Sequence, residues 1–122
     1  MKNIILFSLV LITLVAGCRK ASSKPGKLEG RVVRVNCASF VVEVLNNNGI
    51  GQDNWKDITT DKFHNNAINA ANKCDMPDEA VKGKIIRFDT DAVLTFAGCV
   101  TCDMFDAPPT VVYTLKNVTI KN

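Results

Sequence analysis

Cys99 and Cys102 stand three residues apart with Val100 and Thr101 between them. That C-x-x-C spacing serves thiol–disulfide exchange and also forms half of a zinc knuckle. Exchange chemistry needs the first Cys at a helix N-terminus, where the helix dipole lowers the thiol pKa. Val100 and Thr101 are β-branched, strand-like residues precede them, and no βαβ pattern surrounds them. Zinc needs thiolates, usually from two paired knuckles, but Cys37 and Cys74 each stand alone. No metal or other cofactor is therefore expected, and structural bridging is the role left. If the segment is extended, the Cα atoms of Cys99 and Cys102 lie ~10 Å apart, beyond the ~7 Å limit for a disulfide. Each would then pair with Cys37 or Cys74, which is the favoured reading. A sharp turn would instead close Cys99–Cys102 locally and leave Cys37 to pair with Cys74.

Other groups offer less chemistry. His64 is the only histidine, flanked by Asn65 and Asn66 with no sequence-local acid, and reads as a surface residue. No Ser sits in a nucleophile elbow. Asp89 with Asp91, or Asp103 with Asp106, are carboxylate pairs, but loop acids are ordinarily solvated. A two-carboxylate glycosidase also needs a long cleft that a small domain rarely builds. Asn117-Val118-Thr119 matches a glycosylation sequon, but within a strand pattern it reads as a chance match. No catalytic residue is assigned, and the chain does not read as an enzyme. Trp55, in a polar loop, and Phe105, beside Pro108-Pro109, are the candidates for an exposed ligand-contact patch.

The fifth cysteine, Cys18, has a different context. Lys2 precedes an uncharged apolar run from Ile4 to Ala16. The run is shorter than the ~20 residues of a membrane-spanning helix and fits a secretory leader. Its end, Val15-Ala16-Gly17-Cys18, resembles the lipobox of bacterial lipoproteins. The resemblance implies cleavage between Gly17 and Cys18, diacylglycerol on the Cys18 sulfur, and acylation of the new amino end, as by palmitate. Two or more chains give stable anchoring. Arg19, rather than Asp, follows Cys18. Asp there resembles an inner-membrane retention signal, so the expected address is the outer membrane, facing the periplasm. Lipidation of Cys18 also leaves an even set of four cysteines, suited to two disulfides in an exported domain.

Three segments follow: residues 1–17 as leader, 18–27 as a lipidated flexible tether, and 28–122 as one β domain of about 95 residues. The net charge of +3 falls to +2 when Lys2 leaves with the leader, too weak to suggest nucleic acid. A core of this size benefits from staples.

Val-rich Leu28–Asn36 and Ser39–Leu45 read as a hairpin, ended by Asn46-Asn47-Asn48-Gly49. Trp55–Ile58 can add a short strand. Thr60 or Asp61 could cap a helix through Phe63, Ala67, Ile68, Ala70 and Ala71. Pro77-Asp78-Glu79 suggests a further helical turn before Gly83. Lys84–Thr90 alternates with Ile86 and Phe88 on one face, Val93–Ala97 is a shorter candidate, and Val111–Ile120 is the final strand. This order, with Gly30 as a bend in the first strand and Val81-Lys82-Gly83-Lys84-Ile85-Ile86 leading into a later one, resembles an OB-fold. The expectation is a mainly β domain with one short helix, a small OB-like Greek-key barrel, with a β-sandwich as the alternative. Cys99–Pro109 and Tyr113–Val118 also look like stretches of small lipoproteins of Bacteroidota, a resemblance that carries no known activity.

The expected role is a monomeric, lipid-anchored envelope module that binds without catalysing. The membrane engages the lipid on Cys18, and an envelope protein, a peptide or a glycan engages the domain. The alternatives are a thiol–disulfide oxidoreductase using Cys99 and Cys102, and an inhibitor of a hydrolase.

Overall fold

The computed structural model describes residues 28–92, 102 and 104–122. Gly17, Cys18, the tether, the strand expected over Val93–Ala97, Cys99 and Asp103 lie outside the described residues. Among the described residues there are seven strands: β1 (Leu28–Val35), β2 (Phe40–Val44), β3 (Trp55–Asp57), β4 (Lys62–His64), β5 (Ala67–Ala70), β6 (Ile85–Asp91) and β7 (Val112–Ile120). Five of them close a barrel in the order β1-β2-β5-β7-β6, with β6 returning to β1. All neighbours are antiparallel except β5 and β7, which are parallel. This is an OB-like barrel, not two stacked sheets. Strands β3 and β4 form a separate hairpin inserted between β2 and β5.

Alternation builds the core. Val32, Phe40, Val42, Val44, Ile68, Ala70, Ile86, Phe88 and Leu115 point inward and are buried. Gly30 serves two neighbours at once, pairing with Val44 of β2 and Ile86 of β6. A Cβ there would overlap Val42 Cγ1 and come within 3.2 Å of Phe88 Cε1. The absent side chain is what lets β1 bend across the barrel. In β7, Asn117 adopts φ 52° and the register against β6 slips between Arg87 and Asp89. That bulge shifts the alternation, so Val118 and Ile120 pack on the core in line with Leu115.

The expected helix over Phe63–Ala71 is not formed. Its apolar spacing imitates a helix face, but Asp61 and Asn66 take φ 58° and 52°, which break the segment into β4, a turn and β5. Ala67 is buried on the outer side of β5, while Ile68 and Ala70 are buried inside the barrel. A strand covered on both faces loses its alternation. Among the described residues the helical content is a single 3-10 turn, Lys73–Asp75, and Pro77–Glu79 stays outside any helix. Ala80 and the partly buried Met76 pack on the core from this connection. Asn72 extends the sheet with its side chain, donating to Leu115 O at 2.8 Å and accepting from Leu115 N at 2.9 Å.

Candidate functional site

The outer face of β1, β2 and β5 is where an OB barrel ordinarily receives a ligand, flanked by the loops after its first and fourth barrel strands. In this chain those are residues 36–39 and the connection between β6 and β7, described at 92, 102 and 104–111. The β3–β4 hairpin lies over this face. Trp55 packs on Val33, Val41 and Ala67 as a second small core and is only 4% exposed.

A bulge in β1 makes this arrangement possible. The register against β2 slips between Val32 and Arg34. The extra residue turns Arg34 onto the same outer face as Val33 instead of into the barrel. There the guanidinium carbon lies 4.9 Å from the centre of the Trp55 ring, in cation–π contact. Its three nitrogens are all engaged. Nη1 donates to Asp57 Oδ1 at 3.1 Å, Nη2 to Asp106 Oδ2 at 3.2 Å and Nε to Ser39 Oγ at 3.3 Å. Ser39 Oγ in turn donates to Asp106 Oδ2 at 2.5 Å, and Asn36 Nδ2 adds a contact to the same oxygen at 3.3 Å. Trp55 Nε1 donates to Ala107 O at 2.9 Å. Arg34, Ser39, Asp57 and Asp106 are all buried. One guanidinium thus joins β1 to the hairpin through Asp57 and to the late loop through Asp106.

Local backbone chemistry positions each partner. Asn36 Oδ1 accepts from the N–H groups of Ala38 and Ser39, both at 2.8 Å, which fixes the β1–β2 turn. Asp57 Oδ1 accepts from the hydroxyl and the N–H of Thr59 at 2.7 and 3.0 Å, and Oδ2 takes the Thr60 hydroxyl at 3.3 Å. Burial pushes the Asp57 carboxyl upward and is the largest single influence. The two Thr59 hydrogen bonds and Arg34 together outweigh it, so the group is held below its ordinary range. The Ser39 hydroxyl is enclosed, with its proton directed at Asp106 and Arg34 donating to its oxygen. This geometry clamps loops together and offers no exposed nucleophile.

A disulfide between Cys37 and Cys102 ties the same two loops, with Cα atoms 5.5 Å apart. It is one of the pairings of the crossed arrangement, and it removes Cys102 from any local bridge to Cys99. Cys74 is also disulfide-bonded. Lys73 Nζ donates to the carbonyl of Cys37, adding a cation to the rim.

The structure corrects two expectations about exposure. Trp55 is not at the surface, because the hairpin that carries it folds back onto the barrel. His64 is not a solvated histidine: its Nδ1 lies 2.6 Å from Glu43 Oε2, and its ring centre is 5.9 Å from that of Trp55. Glu43 and Val41 alternate onto the outer face of β2, so the pair forms only once β4 is laid across it. Phe105, by contrast, is 86% exposed. Its neighbours are held: Met104 Sδ lies 3.5 Å from Cys37 Sγ, and Asp106 sits in the buried cluster. The remaining acids separate. Asp91 pairs with Lys116, and Asp89 accepts from Asn117 Nδ2 at 3.0 Å.

The cluster of Arg34, Ser39, Asp57 and Asp106 is the feature that reading the sequence missed. Arg34 had a weak signal as a cation interrupting a Val-rich strand, but nothing local announces partners 23 and 72 residues away. Comparison with known proteins finds no family model and no curated relative that matches the chain.

Proposed function

We propose that this protein is a non-catalytic binding module, held by lipid on Cys18 to the bacterial cell envelope, on the periplasmic side of the outer membrane. It engages an envelope protein, a peptide or a glycan through the loop that carries Phe105. The observation that carries this reading is Phe105 itself. A large aromatic ring stands in solvent at 86% exposure while the chain around it is pinned by the Cys37–Cys102 bridge, by the Arg34–Asp106 pair and by the Trp55–Ala107 hydrogen bond. A preset loop binds with little ordering cost, and aromatic anchors dominate contact energies. The OB face itself is filled by Trp55 and the Arg34 cluster, which favours contact at its edge over a ligand laid across it.

Site-specific photo-crosslinking in living cells tests the proposal. A benzophenone amino acid replaces Phe105 in the full chain, and Leu45, also exposed, serves as the control position. The expected result is a discrete adduct from position 105 and none from position 45. No adduct at 105, or the same adducts at both positions, overturns the reading.

A further inference from the structure

A cleft of about 260 Å³ opens between β1, the β3–β4 hairpin and the turn before β6. Arg31, Lys62 and Lys82 line it, together with Asp57, Thr60, His64 and Gly83. We infer that this cleft binds the phosphate-ester group of a small ligand, a site separate from the Phe105 surface and independent of the reading given to it.

Charge accounting is the first support. Among the described residues, Arg34, Lys56, Arg87, Lys116 and Lys121 have carboxylate partners, and Lys73 has a carbonyl. Arg31, Lys62, Lys82 and Lys84 are left without an ion-pair or hydrogen-bond partner for their side chains. Three of these four line one cleft. The acids nearest to it are already engaged. Asp57 is held by Arg34, Thr59 and Thr60, and Glu43, which faces Arg31 across the β1–β2 ladder, is held by His64. The cleft therefore presents three unpaired cations beside one lining carboxylate, Asp57, whose oxygens are already hydrogen-bonded.

Geometry supplies the second support and the ligand class. Arg31 comes from β1, Lys62 from the start of β4 and Lys82 from the turn before β6, so the cations approach from three separate elements. A tetrahedral phosphate monoester offers three terminal oxygens and about two negative charges, and Arg and Lys are its usual partners. A planar carboxylate offers only two oxygens. Gly83, at φ 92°, has nothing within 4 Å of where a Cβ would stand, which leaves the mouth open beside Lys82. The volume suits a phosphate with a short ester substituent better than a drug-sized ligand.

The full chain, kept in zwitterionic detergent micelles, is titrated with glycerol phosphate and, separately, with phosphatidic acid mixed into the micelle. Backbone amide NMR shifts at Arg31, Lys62 and Gly83 are the readout. A saturable shift with glycerol phosphate assigns a soluble ester, and one seen only with phosphatidic acid assigns a lipid headgroup. Arg31→Gln and Lys62→Gln should each weaken binding about tenfold, while Lys84→Gln, outside the cleft, should change it less than about twofold. These positions are exposed, and an unchanged amide spectrum elsewhere confirms that the variants fold. Absence of a saturable shift with both probes overturns the inference. So does equal affinity for succinate, or equal weakening by Lys84→Gln.

Discussion

Arg34 shows what a single bulged residue can organise. A guanidinium buried between two carboxylates is costly to desolvate, and it is tolerated because Asp57, Asp106 and Ser39 satisfy all three of its nitrogens. Arg34→Met leaves those acids buried without a counter-charge. It should lower the unfolding free energy by about 3–5 kcal/mol, read from urea denaturation. Arg31→Met, on an exposed position of the same strand, should change stability by less than about 0.5 kcal/mol. Asp57 also links the cluster to pH. Its carboxyl is held below the ordinary aspartate value of 3.8 in the fold. The stability this contributes is present above that value and is lost as the pH falls through the lower folded value. Urea midpoints should therefore fall on acidification below about pH 4. Asp57→Asn should flatten that slope without abolishing it. Glu29, held down by Lys121 and Arg87, and Asp91, held down by Lys116 and the Ala92 N–H, titrate in the same direction.

At the level of elements, the β3–β4 hairpin and the late loop act as two flaps on one face, each fastened to β1. Trp55 anchors the first flap and the Cys37–Cys102 bridge the second. The bridge spans 65 residues, for which chain-entropy reasoning gives a stabilisation of about 4 kcal/mol. Replacing both cysteines by Ser should lower the thermal midpoint by roughly 15–30 °C, at about 4–8 °C per kcal/mol in a domain this size. Calorimetry checks this, and a shift of only a few degrees would mean that the Arg34 cluster and the Trp55–Ala107 hydrogen bond hold the flap without the bridge. Most barrel strands were legible in the sequence. β6 and β7 show apolar–polar alternation, while β1 and β2 were marked by their Val and Phe content, since Val33 and Val41 are buried on the outer face as well. β3 was expected as the short strand Trp55–Ile58, whereas β4 and β5 were misread as helix because Phe63, Ala67, Ile68, Ala70 and Ala71 repeat at three- and four-residue intervals. Only the left-handed backbone at Asp61 and Asn66, and the burial of β5 on both faces, distinguish the two. Neither shows in a local pattern.

For the molecule as a whole, the proposed lipid anchor sets where any ligand must be met. Cys18→Ala in the full chain should move the protein from the membrane pellet to the soluble envelope fraction, and retention in the pellet would remove the anchor from the account. The candidate site divides similarly. Phe105 stood out in the sequence as an aromatic beside Pro108-Pro109. Trp55 stood out as an aromatic in a polar loop and proved to be buried, because its loop doubles back onto a barrel face that had to be covered. The sequence alone determined the strands β1, β2, β6 and β7, the bend at Gly30 and a cysteine set suited to bridging, since each follows from contacts or conformational preferences within a few residues. Tertiary structure alone decided that Cys102 meets Cys37, that Arg34 collects Asp57 and Asp106, and that Arg31, Lys62 and Lys82 share a cleft. Those meetings depend on barrel closure and a one-residue slip in β1, which bring together groups that chain distance keeps apart.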